Sequence, residues 1–571
     1  MKFLNDILFS EHEYSALLNG VNKNRLPIAA TGLSAVHKAA VISALHSHTG
    51  KKIAVITPDE AAANCLGDDL KALGVNTVDF PYRDYLLADI AGYSKEYEHK
   101  RTDTLSKLLD GDFGVVTMSL DAALQYTTPP EILKKANFCL EAGQTVSTAE
   151  LSEKLILSGY VRTDFCDGTG QFSVRGGIFD IFPTAAENPY RIEFWGDEID
   201  TISIFDTETQ RRTESLEKIT ITPANEVLYN PQSLIEKLQK IKNDKKLPEN
   251  ALLKIEADIT ALENGITLNP DRYISLIYGE NNTVFDYLKD VIFVVTETGN
   301  LNERFSSLEI RQTADTENFL EEGILNKYTA KLWLTKAEFW EKLYSCVILE
   351  NFPRNSYPVK LKDIINFNYR SSSCWSGDLN VLTEDISYTL EIKGIVVILA
   401  GGLRAAKVLT ESLNEKGIPA VLSEKPYPGP GVATVTTGGL SSGFEIPSEK
   451  FILITHRYLG NDKKPHKKHA KKGNEIGSLD SLKKGDYVVH EAHGIGIFDG
   501  INRITNAGVT KDYIKIKYAK SDILYVPVTQ LDLVSRYIGS AEESNIKINR
   551  LGGGEWQKTR TRVKKAVKDM A

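Results

Sequence analysis

Along the first part of the chain, short apolar runs alternate with amphipathic stretches. "LPIAATGLSAVHKAAVISALHSHTGKKIAVITPDEAAANCLGDDLKALG" reads as strand, helix, strand, helix, and "FGVVTMS" (Phe113 to Ser119) adds a buried strand before another helix. Apolar strands separated by helices predict a parallel α/β sheet. From about Phe138 to Asp206 the period drops to two. In "QFSVRGGIFDIFP" Phe172 and Val174 alternate with Ser173 and Arg175, and Ile178, Asp180 and Phe182 alternate with Phe179 and Ile181; "YRIEFWGDEIDTISIFD" continues the texture. These short strands predict a small α+β insert, and Gly176-Gly177 marks a bulge, a tight bend or a close backbone approach.

Beyond the insert, α/β character returns, with "PQSLIEKLQKIKND" as a helix and "YISLIYG" and "VIFVVTE" as strands, so one domain split around an insert is the economical topology. A further α/β unit is carried by "GIVVILAGGLRAAKVLTESLNEKGIPAVLSE". "GNDKKPHKKHAKKGNE" then holds no apolar residue except Ala470 and reads as a solvated linker. Short strands with glycine turns follow and predict a small β-barrel. "GGGEWQKTRTRVKKAVKDMA" places Trp556, Val563, Val567 and Met570 near one helical face, and the chain ends mid-helix, as a truncated protein would.

The boundaries that follow are 1–130 and 213–328 for the two parts of the split α/β domain, 131–212 for the insert, and 329–460 for the additional α/β domain. The linker takes 461–477, the barrel 478–545 and the terminal helix 546–571. A chain of 571 residues needs several such units, because single cores stop growing well below that length. Ordinary composition and the lack of any long apolar run predict a protein with no membrane span. Cys65, Cys139, Cys166, Cys346 and Cys374 form no CxxC pair, which fits a reducing, cytoplasmic compartment. A net charge of −8 argues against coating nucleic acid with the whole surface.

Candidate chemistry is sparse. The turn "ATGLSAVHKAAV" (Ala30 to Val41) holds Thr31-Gly32 where a phosphate-binding loop would begin, but no GK[ST] follows to reach phosphate and magnesium. Neither ATP nor any other cofactor is therefore expected here, and no catalytic residue is assigned. His490 and His493 in "HEAHGIG" fall one residue short of HExxH spacing, and Gly494 and Gly496 disfavour a helix, so they read as turn histidines with no metal.

Three stretches together resemble the bacterial transcription-repair coupling factor family. "QFSVRGGIFDIFP" with "YRIEFWGDEIDTISIFD" is similar to the UvrA-binding module shared with UvrB. "GDYVVHEAHGIGIFDGI" through "DYIKIKYAKSDILYVPVTQLDLVSRYIG" resembles the RNA polymerase-interacting domain also found in CarD-like regulators. "LGGGEWQKTRTRVKKAVKDMA" is similar to the lead-in to that family's motor. The resemblance implies an α/β multidomain fold with a degenerate RecA-like, UvrB-homologous module and a CarD-like or Tudor-like barrel. It implies a monomeric adaptor that binds the RNA polymerase β subunit and recruits UvrA for nucleotide-excision repair. ATP, magnesium and most DNA contact would belong to the family's translocase motor. Carried over residue by residue, Arg175, Arg191 and Glu193 would contact UvrA, with Arg162 and Phe172 beside them, and Ile504 would anchor the polymerase. Ser173 stands where UvrB commonly has another arginine. The alternatives are a UvrB-type helicase, which needs a phosphate-binding loop, and a CarD-like regulator, which leaves residues 1–460 unexplained.

Overall fold

The computed structural model describes residues 1–456 except 86, 88–94, 208, 280–281, 373, 376 and 425–427, then 482–537 except 507–508, and 548–551, 556 and 559. The linker predicted at 461–477 and most of the predicted terminal helix lie outside the described residues.

Seven strands form the first sheet, in the order Asp363–Asn366, Ile28–Thr31, Cys346–Leu349, Val291–Thr296, Lys52–Thr57, Val115–Ser119, Thr77–Phe80. Every pairing is parallel. Ile28–Thr31, Cys346–Leu349 and Val115–Ser119 are buried at every position, which is why they are near-continuous apolar runs rather than alternating ones. The N-terminal helices with Ala35–Thr49 and Glu60–Ala72 cover one face, and Glu96–Asp110, Thr298–Glu321 and Lys336–Lys342 cover the other. The sheet draws strands from both sides of the insert.

Two sequence expectations differ from this topology. A division at residue 329 would separate Cys346–Leu349 and Asp363–Asn366 from the sheet they complete; the second α/β sheet begins only at Arg370. A buried apolar run does not say which sheet it joins. "YISLIYG" is not a strand: Asp271–Tyr273 is a 3₁₀ turn leading into the helix Ile274–Tyr278, which Gly279 ends with φ 72°. Five apolar positions are too few to separate the two periods. The second α/β sheet, of six strands, packs against the first unit through a shared core in which Val397, Leu399, Phe444 and Leu453 meet Leu4, Val36 and Ala40.

The insert leaves the first unit through one antiparallel pair, Phe138–Glu141 with Lys218–Ile221. It therefore extends to Ile221, past the predicted end at 212. Its helix Thr148–Leu157, capped by the Ser147 side chain, lies on a six-stranded sheet in which Val161–Arg162, Gln171–Arg175, Ile178–Phe182, Tyr190–Trp195, Glu198–Phe205 and Arg212–Leu216 are neighbours in sequence order.

Just beyond the insert, Glu226 enters a buried ion cluster. Its carboxylate accepts from Arg101 Nε at 2.8 Å and Nη2 at 2.9 Å, from Arg83 Nε at 2.5 Å and from Thr127 Oγ1 at 2.6 Å. Arg83 also grips Asp271 with two bonds of 2.7 Å. Two guanidinium groups balance two carboxylates, and all four residues are buried. The segments before and after the insert are thus locked together at its root.

The C-terminal unit is a five-stranded antiparallel sheet in the order Ile523–Pro527, Val509–Lys517, Gly494–Asn506, Tyr487–His490, Val534–Arg536. Among the described residues no pairing joins Ile523–Pro527 to Val534–Arg536.

Candidate functional site

The two faces of the insert's sheet differ in chemistry. Phe172, Phe179, Ile181 and Ile192 point to the helix side and make the core with Leu151 and Leu155. On the other face the register aligns Ser173, Asp180, Arg191 and Ser203 in one row and Arg175, Ile178, Glu193 and Thr201 in the next. Asp180 is 1% exposed and Arg191 is 9% exposed, so the first row is buried although polar. Arg191 grips both Asp180 oxygens, at 2.7 and 2.8 Å, and gives two further bonds to the Gln210 carbonyl and side-chain oxygens, each at 2.8 Å. Its guanidinium also lies 4.5 Å from the Phe205 ring centre.

Arg175 reaches the same carboxylate from the rim, with Nη2 2.9 Å from Asp180 Oδ2, while its guanidinium sits 4.8 Å from the Phe165 ring centre. It is far more open than Arg191 and leaves donors for a partner. Glu193 is half-buried and accepts from Arg212 at 2.9 Å and Thr201 at 3.3 Å. Gly176-Gly177 is a two-residue hairpin turn, since Arg175 pairs with Ile178 across it. Gly176 takes φ +60°, the left-handed value the first position of a type II′ turn requires, and a Cβ on Gly177 would stand 3.0 Å from the Phe194 carbonyl oxygen. Both glycines are thus explained by a turn pressed against the neighbouring strand.

The nucleotide-like turn is filled by the protein itself. Gly32 N–H donates to Asn351 O at 3.2 Å, Leu33 N–H to Glu350 O at 3.1 Å, and Ser34 N–H to His37 Nδ1 at 3.1 Å. Lys38 is buried against Glu297. The donors a phosphate would need are already spent. Titration with a fluorescent ATP analogue should show no saturable binding up to about 1 mM, a weak-affinity ceiling. Binding that unlabelled ATP displaces would contradict this.

Residues 138–227 match the UvrB interaction domain family, and residues 482–538 match the CarD-like/TRCF RID domain family. The transcription-repair-coupling factor of Bacillus subtilis (strain 168) is 31% identical over 98% of this chain and 49% of its own length. That of Staphylococcus aureus (strain MRSA252) is 28% identical over 95% and 48%. The chain is homologous to the transcription-repair-coupling factors. It spans about half the length of the relatives it matches. Among solved structures, S. tokodaii Xpd4 aligns over 75% of this chain and 80% of its own at 10% identity with a TM-score of 0.20, too low to bear on the fold.

The UvrB interaction domain match begins at the first residue of the insert's neck and ends beside Glu226. Within it the residues expected from coupling-factor resemblance fall into three groups. Arg175, Glu193 and Arg162 reach the surface, Arg162 fully so on the edge strand Val161–Arg162. Arg191 is buried and committed to Asp180. Phe172 is fully buried and stacked on Phe179, ring centres 5.5 Å apart and ring planes nearly parallel, so it belongs to the core and offers no contact surface.

Trp195 escaped the sequence reading. It is 84% exposed at the tip of the hairpin beside Gly177, on the same side of its strand as Arg191 and Glu193. Alternation already carried the signal, because Arg191, Glu193 and Trp195 share one parity. Phe165 and Val161 are also exposed nearby. In the CarD-like unit, Ile504 is half-buried on the long hairpin, its backbone opposite Lys511, and lies outside the sheet's hydrophobic core. No helix among the described residues is long and apolar enough to cross a membrane.

Proposed function

We propose that this chain is the docking half of a cytoplasmic transcription-repair coupling factor, binding UvrA through the insert and the RNA polymerase β subunit through the C-terminal sheet. The observation that carries the reading is the occurrence of both family matches in one chain that aligns almost end to end with coupling factors. The UvrA surface is the polar face bearing Trp195, Phe165, Arg175 and Glu193, with Arg162 on the adjoining edge strand. An exposed tryptophan on the same face as an arginine already held by Asp180 is the composition of an interface hot spot, with little side-chain freedom left to lose. Arg191 contributes from below by holding Asp180, and so Arg175, in place. Ile504 supplies an apolar contact for polymerase. The family's ATP- and magnesium-dependent translocation on DNA is assigned to no residue of this chain.

The test is a crossed binding experiment. Trp195→Ala and Arg175→Ala should each weaken UvrA binding by about 2 kcal/mol and leave polymerase binding unchanged, while Ile504→Arg should do the reverse. Isothermal titration against each partner reads both. Equal losses toward both partners, or none, would return these residues to ordinary surface.

A further inference from the structure

Where the C-terminal sheet meets the first α/β unit, two histidines of one turn come up against a carboxylate from far earlier in the sequence. Glu96 opens the helix Glu96–Asp110, His490 ends the strand Tyr487–His490, and His493 lies in the turn before Gly494. One ligand atom from each lies within 4.8 Å of the others. His493 Nε2 stands 2.6 Å from Glu96 Oε1, and the two imidazole rings are 4.9 Å apart, centre to centre. His490 is completely buried; its Nδ1 accepts the Ala492 N–H at 3.2 Å, and its Nε2 has no hydrogen-bond partner. Buried polar atoms without partners are rare and ask for an explanation.

We propose that Glu96, His490 and His493 bind one divalent transition-metal ion of the zinc class and so clamp the C-terminal sheet to the first α/β unit. Two imidazoles and one carboxylate are a donor set that suits zinc and its neighbours, whereas magnesium and calcium require oxygen ligands throughout. Three protein ligands leave the fourth tetrahedral position to water. HExxH spacing does not report such a site, because here the two histidines lie at a strand end and in a turn and not on a helix.

The turn that carries the histidines is held from outside. Gly494 takes φ +77°, and a Cβ there would stand 2.5 Å from Asn549 Oδ1 and 2.7 Å from the Trp556 ring. Asn549 Oδ1 in turn accepts the Ile495 N–H at 2.7 Å, and Trp556 Nε1 donates to the Glu491 carbonyl at 2.8 Å. Such support fixes ligands before the ion arrives. Ligands about 2.1 Å from a tetrahedral ion stand about 3.4 Å apart, so the Glu96–His493 pair opens slightly and the widest pair closes. Ligation through His490 Nε2 places the ring proton on Nδ1 and opens the Ala492 contact. The proton shared between His493 and Glu96 leaves as the metal binds.

The experiment uses the full chain, stripped with a chelator and then titrated with Zn²⁺ against a chromophoric competitor, and separately with Co²⁺ as a spectroscopic substitute. One ion per chain is expected, with a tetrahedral Co²⁺ absorption band and a raised unfolding temperature. Glu96→Gln keeps a hydrogen bond to His493 and should fold normally, as should His493→Asn at a partly exposed position. Both should weaken binding by about 100-fold or more and abolish the band. No stoichiometric binding in the wild type, or undiminished binding in both variants, would overturn the site and leave a simple ion pair between the two units.

Discussion

Glu226→Ala should destabilise the first α/β unit by about 3–5 kcal/mol, because it leaves two buried guanidinium groups facing the single carboxylate of Asp271. Urea unfolding should show the loss as an earlier midpoint, and Glu226→Gln, which keeps the shape and part of the hydrogen bonding, should lose less. Burial alone would raise the Glu226 pKa, but Arg101 and then Arg83 reverse that and hold it down to about 2. A carboxylate whose folded pKa lies below its unfolded value near 4.5 contributes stability above that value. The gap between wild type and Glu226→Gln should therefore be full at neutral pH and shrink as pH falls from about 4.5 toward 2. A gap that stays constant over this window would show that the charge of Glu226 is not what stabilises the cluster.

Arg191→Ala should cost the insert a similar amount, about 3–5 kcal/mol, since Asp180 would stay buried with only the rim residue Arg175 to balance it. Arg191→Lys should not rescue it, because an ammonium cannot reproduce the two-pronged grip. The double variant Asp180→Ala with Arg191→Ala removes the stranded charge and should recover much of the loss. Binding separates positioning from contact. If Arg191 acts by holding the face in shape, the double variant regains part of its UvrA affinity together with its fold. Recovered stability with binding still abolished would instead show that docking needs the Asp180–Arg191 pair, which holds Arg175, and not only an intact fold.

The sequence carried the layer architecture because its signal is local. Apolar, β-branched runs such as "IAVIT" and "VVTM" between turn signals read as strands covered on both sides, and strict alternation in "QFSVR" and "YRIEFW" reads as a sheet with two unlike faces. Sheet membership was not legible. Nothing in "CVIL" tells that it slots between Ile28–Thr31 and Val291–Thr296, because that choice depends on contacts distant in sequence. The site was half legible for the same reason. Parity put Arg175, Arg191 and Glu193 on one face, but depth on that face is set by what lies over it: the segment after Phe205, with Gln210, caps Arg191 and leaves Arg175 and Trp195 open. Resemblance names positions without distinguishing a residue that touches a partner from one that props up its neighbour. Phe172 shows the limit, since it sits within the motif and wholly within the core.

The neck of the insert has a consequence for how such a chain was assembled. Phe138 and Ile221 face each other across one antiparallel pair, so the excursion departs and returns at a single point of its host. Opposed residues in such a pair are about 5 Å apart, a gap that a turn of a few residues closes at little entropic cost. The Glu226 cluster lies on the host side of that point and would survive the cut. Residues 138–221 are therefore a cassette that can be acquired, lost or grafted into another chain without rethreading the sheet beneath it.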